Sequence, residues 1–173
     1  KDFPIIPKDP NSYFLKIPTS QLIRAISSVL VSVAKNDTRQ ELNGIFIQFS
    51  EDSVLFASTD SFRLSEAKIK LRKEDLNDDY LEFIKNNPSI IAPALTFMEI
   101  QRAAGEDENI NFKIDQNQLF IKNESFRVVS RLINGDYPEY QQVLPKKYDF
   151  NIKINKEEMV DSLKIASLVL GGS

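Results

Sequence analysis

Phe14-Leu15-Lys16-Ile17-Pro18-Thr19-Ser20-Gln21-Leu22-Ile23-Arg24-Ala25-Ile26 is the stretch on which the fold turns, because the chain says it twice. Tyr13 to Ile17 reads as a short strand. Pro18-Thr19-Ser20 then signals a helix start, with a hydroxyl available to cap the orphan amides. Leu22, Ile23, Ile26, Leu30 and Val33 recur at helical spacing and predict an amphipathic helix from Thr19 to about Ala34. Near the other end, Asn151-Ile152-Lys153-Ile154 echoes Phe14–Ile17 as a strand, and Met159, Val160 and Leu163 echo Leu22, Ile23 and Ile26 at a constant offset. Asp2-Phe3-Pro4 and Asp136-Tyr137-Pro138 precede the two copies in the same order. A repeat of this length outweighs any local motif.

Between the copies the pattern is regular. Gly44 to Phe49 predicts a strand, Ser50–Ser53 a turn, Val54 to Ser58 a strand, and Phe62 to Leu71 a third. Residues 72–88 are acidic (Glu74, Asp75, Asp78, Asp79, Glu82) and read as a solvated loop with at most a helical turn. Ile90 and Ile91 give a short strand ending at Pro93, which suits a helix start. Leu95, Met98, Ile100 and Ala103 support a second helix closing near Gly105. Three more strands follow at Ile110–Ile114, Leu119–Lys122 and Phe126–Leu132, with a turn at Asp115-Gln116-Asn117. The order strand, helix, three strands occurs twice, which is an α+β class with helices returning to antiparallel sheets. Expected boundaries are the tail of a preceding module over 1–11, a complete module over 12–145, and the first strand and helix of another, truncated, over 146–173.

Composition narrows the function. The 173 residues contain no cysteine and no histidine. Disulfides and cysteine-ligated zinc are excluded, a reducing cytoplasmic setting is compatible, and the commonest neutral-pH proton shuttle and metal ligand is missing. No apolar run reaches the roughly 18 residues of a membrane span, and Lys1-Asp2-Phe3-Pro4 is no secretory signal. A net charge of -3 runs against a strongly basic nucleic-acid binder.

Four stretches carry a family likeness. They are Arg39-Gln40-Glu41-Leu42-Asn43-Gly44; Ala57-Ser58-Thr59-Asp60-Ser61-Phe62-Arg63-Leu64; Ile90-Ile91-Ala92-Pro93; and Ser130-Arg131-Leu132-Ile133-Asn134-Gly135-Asp136-Tyr137-Pro138-Glu139-Tyr140 with Val143-Leu144-Pro145. In this order and spacing the chain resembles the bacterial DNA polymerase III beta subunit family, the replicative sliding clamps, across the whole middle domain and the start of the third. The resemblance implies a DNA-clamp fold and three similar domains per chain. It also implies a head-to-tail homodimeric ring around duplex DNA, the closed symmetry that repeated interfaces favour. Helices would line the hole, and the function would be non-catalytic, without metal or cofactor: a processivity factor tethering the polymerase.

Two sites follow from that likeness. DNA-facing groups would be Arg24, Lys35, Asn36, Arg39 and Arg102, contacting phosphates without reading bases; the same residues also fit plain solvated surface. The chain departs from the family's basic residues after the second helix's proline, having Ala94 and Leu95. An acidic balance is tolerable, because enclosure rather than binding energy would retain the ring, and few phosphate contacts mean a shallow salt slope of about -0.9 per contact. The second site is an outer pocket for a short apolar motif of the polymerase III alpha subunit, the clamp loader and repair polymerases. Its matching positions are Leu42, Thr59, Ser61, Phe62, Arg63, Leu64, Pro138 and Val143. Leu42, Leu64, Pro138 and Val143 would give apolar walls and Arg63 a long stem with a polar head. Phe62 stands where the family often has histidine. Two or three buried anchors at about 1.5–3 kcal/mol each, less the ordering cost, imply micromolar affinity.

Two rival readings compete. One is a metal-dependent hydrolase or transferase built on Asp60, Asp75, Asp78 and Asp79, for which no phosphate loop or paired motif exists. The other is a sequence-specific DNA regulator using the Thr19 helix, whose face carries Arg24 and otherwise uncharged residues.

Overall fold

Ile45, Ile47 and Phe49 alternate along one strand and all three are buried, as a period of two demands of a half-buried sheet. The computed structural model describes residues 10, 12–35, 38–86, 88–105 and 109–170. These fall into two compact units, Lys1–Tyr137 and Pro138–Ser173; the Asp2-Phe3-Pro4 element lies outside the described residues.

In the first unit the strands are β1 (Leu15–Pro18), β2 (Gly44–Phe49), β3 (Ser53–Thr59), β4 (Leu64–Lys70), β5 (Ser89–Pro93), β6 (Asn109–Asp115), β7 (Gln118–Lys122) and β8 (Arg127–Arg131). The helices are α1 (Thr19–Leu30), α2 (Asp78–Asn86) and α3 (Ala94–Ala103). Every pairing is antiparallel, in two four-stranded sheets ordered β1-β6-β7-β8 and β4-β3-β2-β5. The α+β class with two helices returning to antiparallel sheets is therefore the observed one.

The halves exchange their first strands. β1 precedes β2–β4 in sequence but pairs with β6, Leu15 opposite Phe112. β5 precedes β6–β8 but pairs with β2, Ile45 opposite Ala92. The sheets meet where the Ile133 amide donates to the Ile91 carbonyl at 2.8 Å. Gly44 sits at that seam: a β-carbon there would lie 2.7 Å from Ile91 Cγ2, 2.9 Å from the Ala92 carbonyl oxygen and 2.9 Å from Ile133 Cδ1. Glycine is the residue that lets these backbones approach so closely.

α1 packs over β3 and β4 and beside β1, whereas α3 packs on β2, β5 and β8. Leu22, Ala25, Ile26 and Val29 of α1 and Ala94, Phe97 and Ile100 of α3 are buried. Both helices start the same way, α3 at Pro93 as expected and α1 differently from expectation. Pro18 (φ -56°, ψ 129°) and Pro93 (φ -55°, ψ 133°) occupy the N-cap positions with no side-chain cap. The Thr19 hydroxyl, expected to cap, is buried with no hydrogen-bond partner among the described residues. The strand runs up to the proline, so the helix begins one residue earlier than a threonine or serine cap would allow. α1 also ends at Leu30, short of Ala34.

The acidic stretch is the larger correction. Instead of a loop it forms α2, two and a half turns long. Asn77 Oδ1 accepts the Tyr80 amide at 2.9 Å, and Asp78 and Asp79 sit in the first turn, where negative charge favours the helix. Tyr80 is fully buried, lies against Phe14 and Phe49, and its hydroxyl donates to the Ser50 carbonyl at 2.8 Å. Phe83 stacks on Phe14 with centroids 4.8 Å apart.

Burial pushes the Tyr80 hydroxyl well above the ordinary tyrosine range, and burial pushes that of Tyr137, stacked on Phe46, up to about 12. An unfolded tyrosine ionises near 10. Between pH 10 and 12 the folded protein thus holds protons that the unfolded chain has lost. Stability from both groups is full below pH 10 and falls as pH rises beyond it. Thermal melts should show Tm dropping over pH 10–12, and Tyr137→Phe should flatten part of that drop; a parallel curve for the variant would contradict the assignment.

In the second unit a short 3-10 turn (Tyr140–Val143) precedes α4 (Lys156–Leu170), whose first amides, Glu157 and Glu158, are accepted by Asn155 Oδ1. The helical half of the repeat is there. The strand half is not: residues 151–155 form no strand. Among the described residues nothing pairs with 151–154, and an extended segment without a ladder partner is not a strand. Met159, Val160 and Leu163, matching the buried or half-buried Leu22, Ile23 and Ile26, are exposed.

Candidate functional site

The turn joining β3 to β4 is tied by a dense set of hydrogen bonds. Thr59 faces Leu64 across the ladder, leaving Asp60-Ser61-Phe62-Arg63 to make the reversal. Thr59 Oγ1 donates to the Arg63 carbonyl at 2.8 Å and accepts the Ser61 amide at 3.0 Å. Asp60 Oδ1 accepts the amides of Phe62 at 3.1 Å and Arg63 at 3.0 Å, and its Oδ2 accepts Arg63 Nε at 3.0 Å. The Arg63 amide above all, then that of Phe62 and the Arg63 guanidinium, holds the Asp60 carboxyl below its usual range. An aspartate folding back on amides two and three residues on is what makes it a turn residue. Ser61 adopts φ +72°, and its Oγ accepts Arg39 Nη2 at 2.7 Å.

This turn gathers the predicted pocket residues Thr59, Ser61, Phe62, Arg63 and Leu64 at one place. Phe62, expected inside a strand, stands at the tip with 98% of its surface exposed. Leu64 is half-buried at the first position of β4, and Arg63 is exposed. Leu42 departs from its expected role: it is fully buried in the 3-10 turn Gln40–Asn43 and offers no wall to a ligand. A lone leucine before a glycine-led strand does not reveal which side of the chain the core will occupy. Pro138 and Val143 are exposed members of the second unit. Thr59-Asp60 also reads as a strand-end turn in the sequence, and the structure shows Asp60 holding that turn.

Two carboxylates of the rival metal cluster, Asp60 and Asp79, are engaged separately. Asp60 serves the turn, while Asp79 accepts the Ser12 hydroxyl at 3.2 Å and lies 3.8 Å from Lys113 Nζ.

Two of the predicted DNA-facing groups, Arg24 and Arg102, stand on the paired helices α1 and α3. α1 and α3 lie side by side, tied by Gln101 Nε2 donating to Ser27 Oγ at 2.8 Å. Arg24 is exposed on α1. Arg102 on α3 is exposed and ion-paired with Glu99 at 2.8 Å. Lys35 is exposed beyond α1, and Asn36 lies outside the described residues. Arg39 reaches the β3–β4 turn instead of standing on either helix. Between the end of α1 and the start of α3 runs a groove of about 860 Å³, lined mainly by apolar residues including Leu30, Val31, Leu95 and Met98.

Residues 16–139 match the family model for the central domain of the DNA polymerase III beta subunit. The chain belongs to this family. Curated relatives of the beta subunit family include the beta sliding clamp of Helicobacter pylori, 30% identical over 169 residues, covering 96% of this chain and 42% of the relative. That of Synechocystis is 25% identical over 178 residues, covering 97% of this chain and 44% of the relative. Among solved structures, a putative DNA polymerase III beta subunit from Eubacterium rectale superposes with a TM-score of 0.84 at 26% identity, over 99% of this chain and 45% of that one. The Bacillus subtilis sliding clamp, 24% identical, shares the fold with a TM-score of 0.84 over 97% of this chain and 42% of its own. The chain thus spans under half the length of the beta subunit relatives it matches.

Proposed function

We propose that this chain is the middle domain of a non-catalytic processivity factor, with a neighbouring domain before it and the start of another after Pro145. The complete protein closes as a homodimeric ring around duplex DNA and recruits polymerase and other partners through a peptide pocket that includes the β3–β4 turn. The observation that carries the ring is the pairing of α1 and α3 on one face. Two helices that present a common surface can line a channel; helices on opposite faces could not. Arg24, Lys35 and Arg102 then supply phosphate-directed contacts that read no bases. With so few cations, one of them shared with Glu99, intrinsic affinity is low and sliding is unhindered, so retention depends on enclosure.

The test is topological. The complete natural chain, loaded by its clamp loader onto nicked circular DNA, should stay bound through gel filtration at about 0.5 M salt, where phosphate contacts are largely screened. Cutting the circle once should release it. Loss from the intact circle at that salt, or equal retention on the linear form, would remove the ring.

A further inference from the structure

We propose that Arg39 is a positioning residue for the partner peptide, acting through Ser61, and that the turn it fixes presents the Phe62 ring to a large apolar side chain of that peptide. The inference rests on the peptide-docking reading above and adds to it the residue that sets the site's shape.

Three observations carry it. Ser61 has φ +72°, a conformation in which a side chain crowds its own backbone and for which glycine is the default. Its hydroxyl oxygen accepts the Arg39 guanidinium at 2.7 Å, a charge-assisted bond that offsets the disfavoured backbone and that glycine could not make. Strain held in place by a specific partner is characteristic of ligand clamps.

Second, Arg39 comes from an anchored segment. Its carbonyl accepts the Leu42 amide at 3.1 Å, the Leu42 carbonyl accepts the Ala34 amide at 3.1 Å, and Leu42 itself is buried. The guanidinium therefore ties the turn to the core of the unit.

Third, Phe62 is 98% exposed although a phenylalanine gains by burial. Its amide is held by Asp60 Oδ1, and the residues on either side are held by Thr59, Arg39 and Asp60, so the backbone that carries the ring at the tip of the turn is fixed. A large ring kept in water on a fixed turn is pre-organised to receive an apolar group, with little ordering left to lose on binding.

The experiment is fluorescence anisotropy on the complete natural chain, with a fluorescein-labelled peptide ending in Leu-Phe as probe, alongside thermal melts. Arg39→Ala and Ser61→Gly should each weaken binding about fivefold, and the double variant should be no weaker than either, since both delete one bond. Arg39→Lys should recover part of the loss. Ser61→Gly should raise Tm by relieving the backbone while lowering affinity, opposite directions that a merely structural role would not give. Phe62→Ala should cost about tenfold. A wild type that binds while Arg39→Ala and Ser61→Gly bind equally well, or whose losses multiply in the double variant, overturns the positioning role. A wild type that does not bind the probe overturns the docking reading, and this inference with it.

Discussion

Tyr80→Ala should destabilise the first unit by about 3–5 kcal/mol, the usual cost of emptying a large aromatic site, and lower its Tm by roughly 10 °C or more. Tyr80 has no exposed surface, touches Phe14 and Phe49, and sits beside Phe83, which stacks on Phe14. It is also the one fully buried residue of α2 and bonds the Ser50 carbonyl through its hydroxyl. The alanine variant empties the site between α2 and the sheets and leaves that carbonyl unpaired. Tyr80→Phe keeps the ring and loses only the hydrogen bond, so its cost should be about 1 kcal/mol. Urea unfolding followed by circular dichroism separates the two, and hydrogen exchange should show the alanine variant opening first around residues 78–86. A Tm within a degree or two of wild type for Tyr80→Ala would mean that α2 is not anchored as described.

The second large effect concerns binding. Arg63→Ala with Leu64→Ala, in the complete natural chain, should abolish measurable binding of the apolar-motif peptide, a loss of about a hundredfold or more. Leu64 is the half-buried apolar residue at the foot of the turn, and its truncation removes an anchor outright. Arg63 is exposed with its head paired to Asp60 at 3.0 Å, and in the proposed pocket its stem would lie along apolar surface of the peptide. Neither residue belongs to the buried core, so Tm should move by far less than in Tyr80→Ala. Isothermal titration against wild type is the measurement. Unchanged affinity in the double variant would displace the pocket from this turn.

Much of the fold was legible because its signals are local. β2 was bounded at Gly44 and Phe49 by a glycine and by alternation alone, and α3 by Pro93 and the spacing of its apolar residues. α2 was misread because five acidic residues between 72 and 88 suggested solvent. Asn77-Asp78-Asp79 ahead of Tyr80, Leu81 and Ile84 was the capped amphipathic helix to be seen there. In the candidate site, Thr59–Leu64 was found through family likeness, yet the likeness could not show Leu42 buried or Arg39 on the turn. Both depend on where a distant segment packs.

By itself the sequence determined every strand and helix of the first unit except α2, their order, the recurrence of the helix near the end of the chain, and the family. Periodicity and turn chemistry act within a few residues, so one chain suffices to read them. The tertiary structure alone decided that β1 joins β6 and β5 joins β2, that Pro18 rather than a hydroxyl residue stands at the N-cap of α1, and that 151–155 form no strand. A strand is defined by the partner that accepts its hydrogen bonds, and nothing in a strand's own residues names that partner.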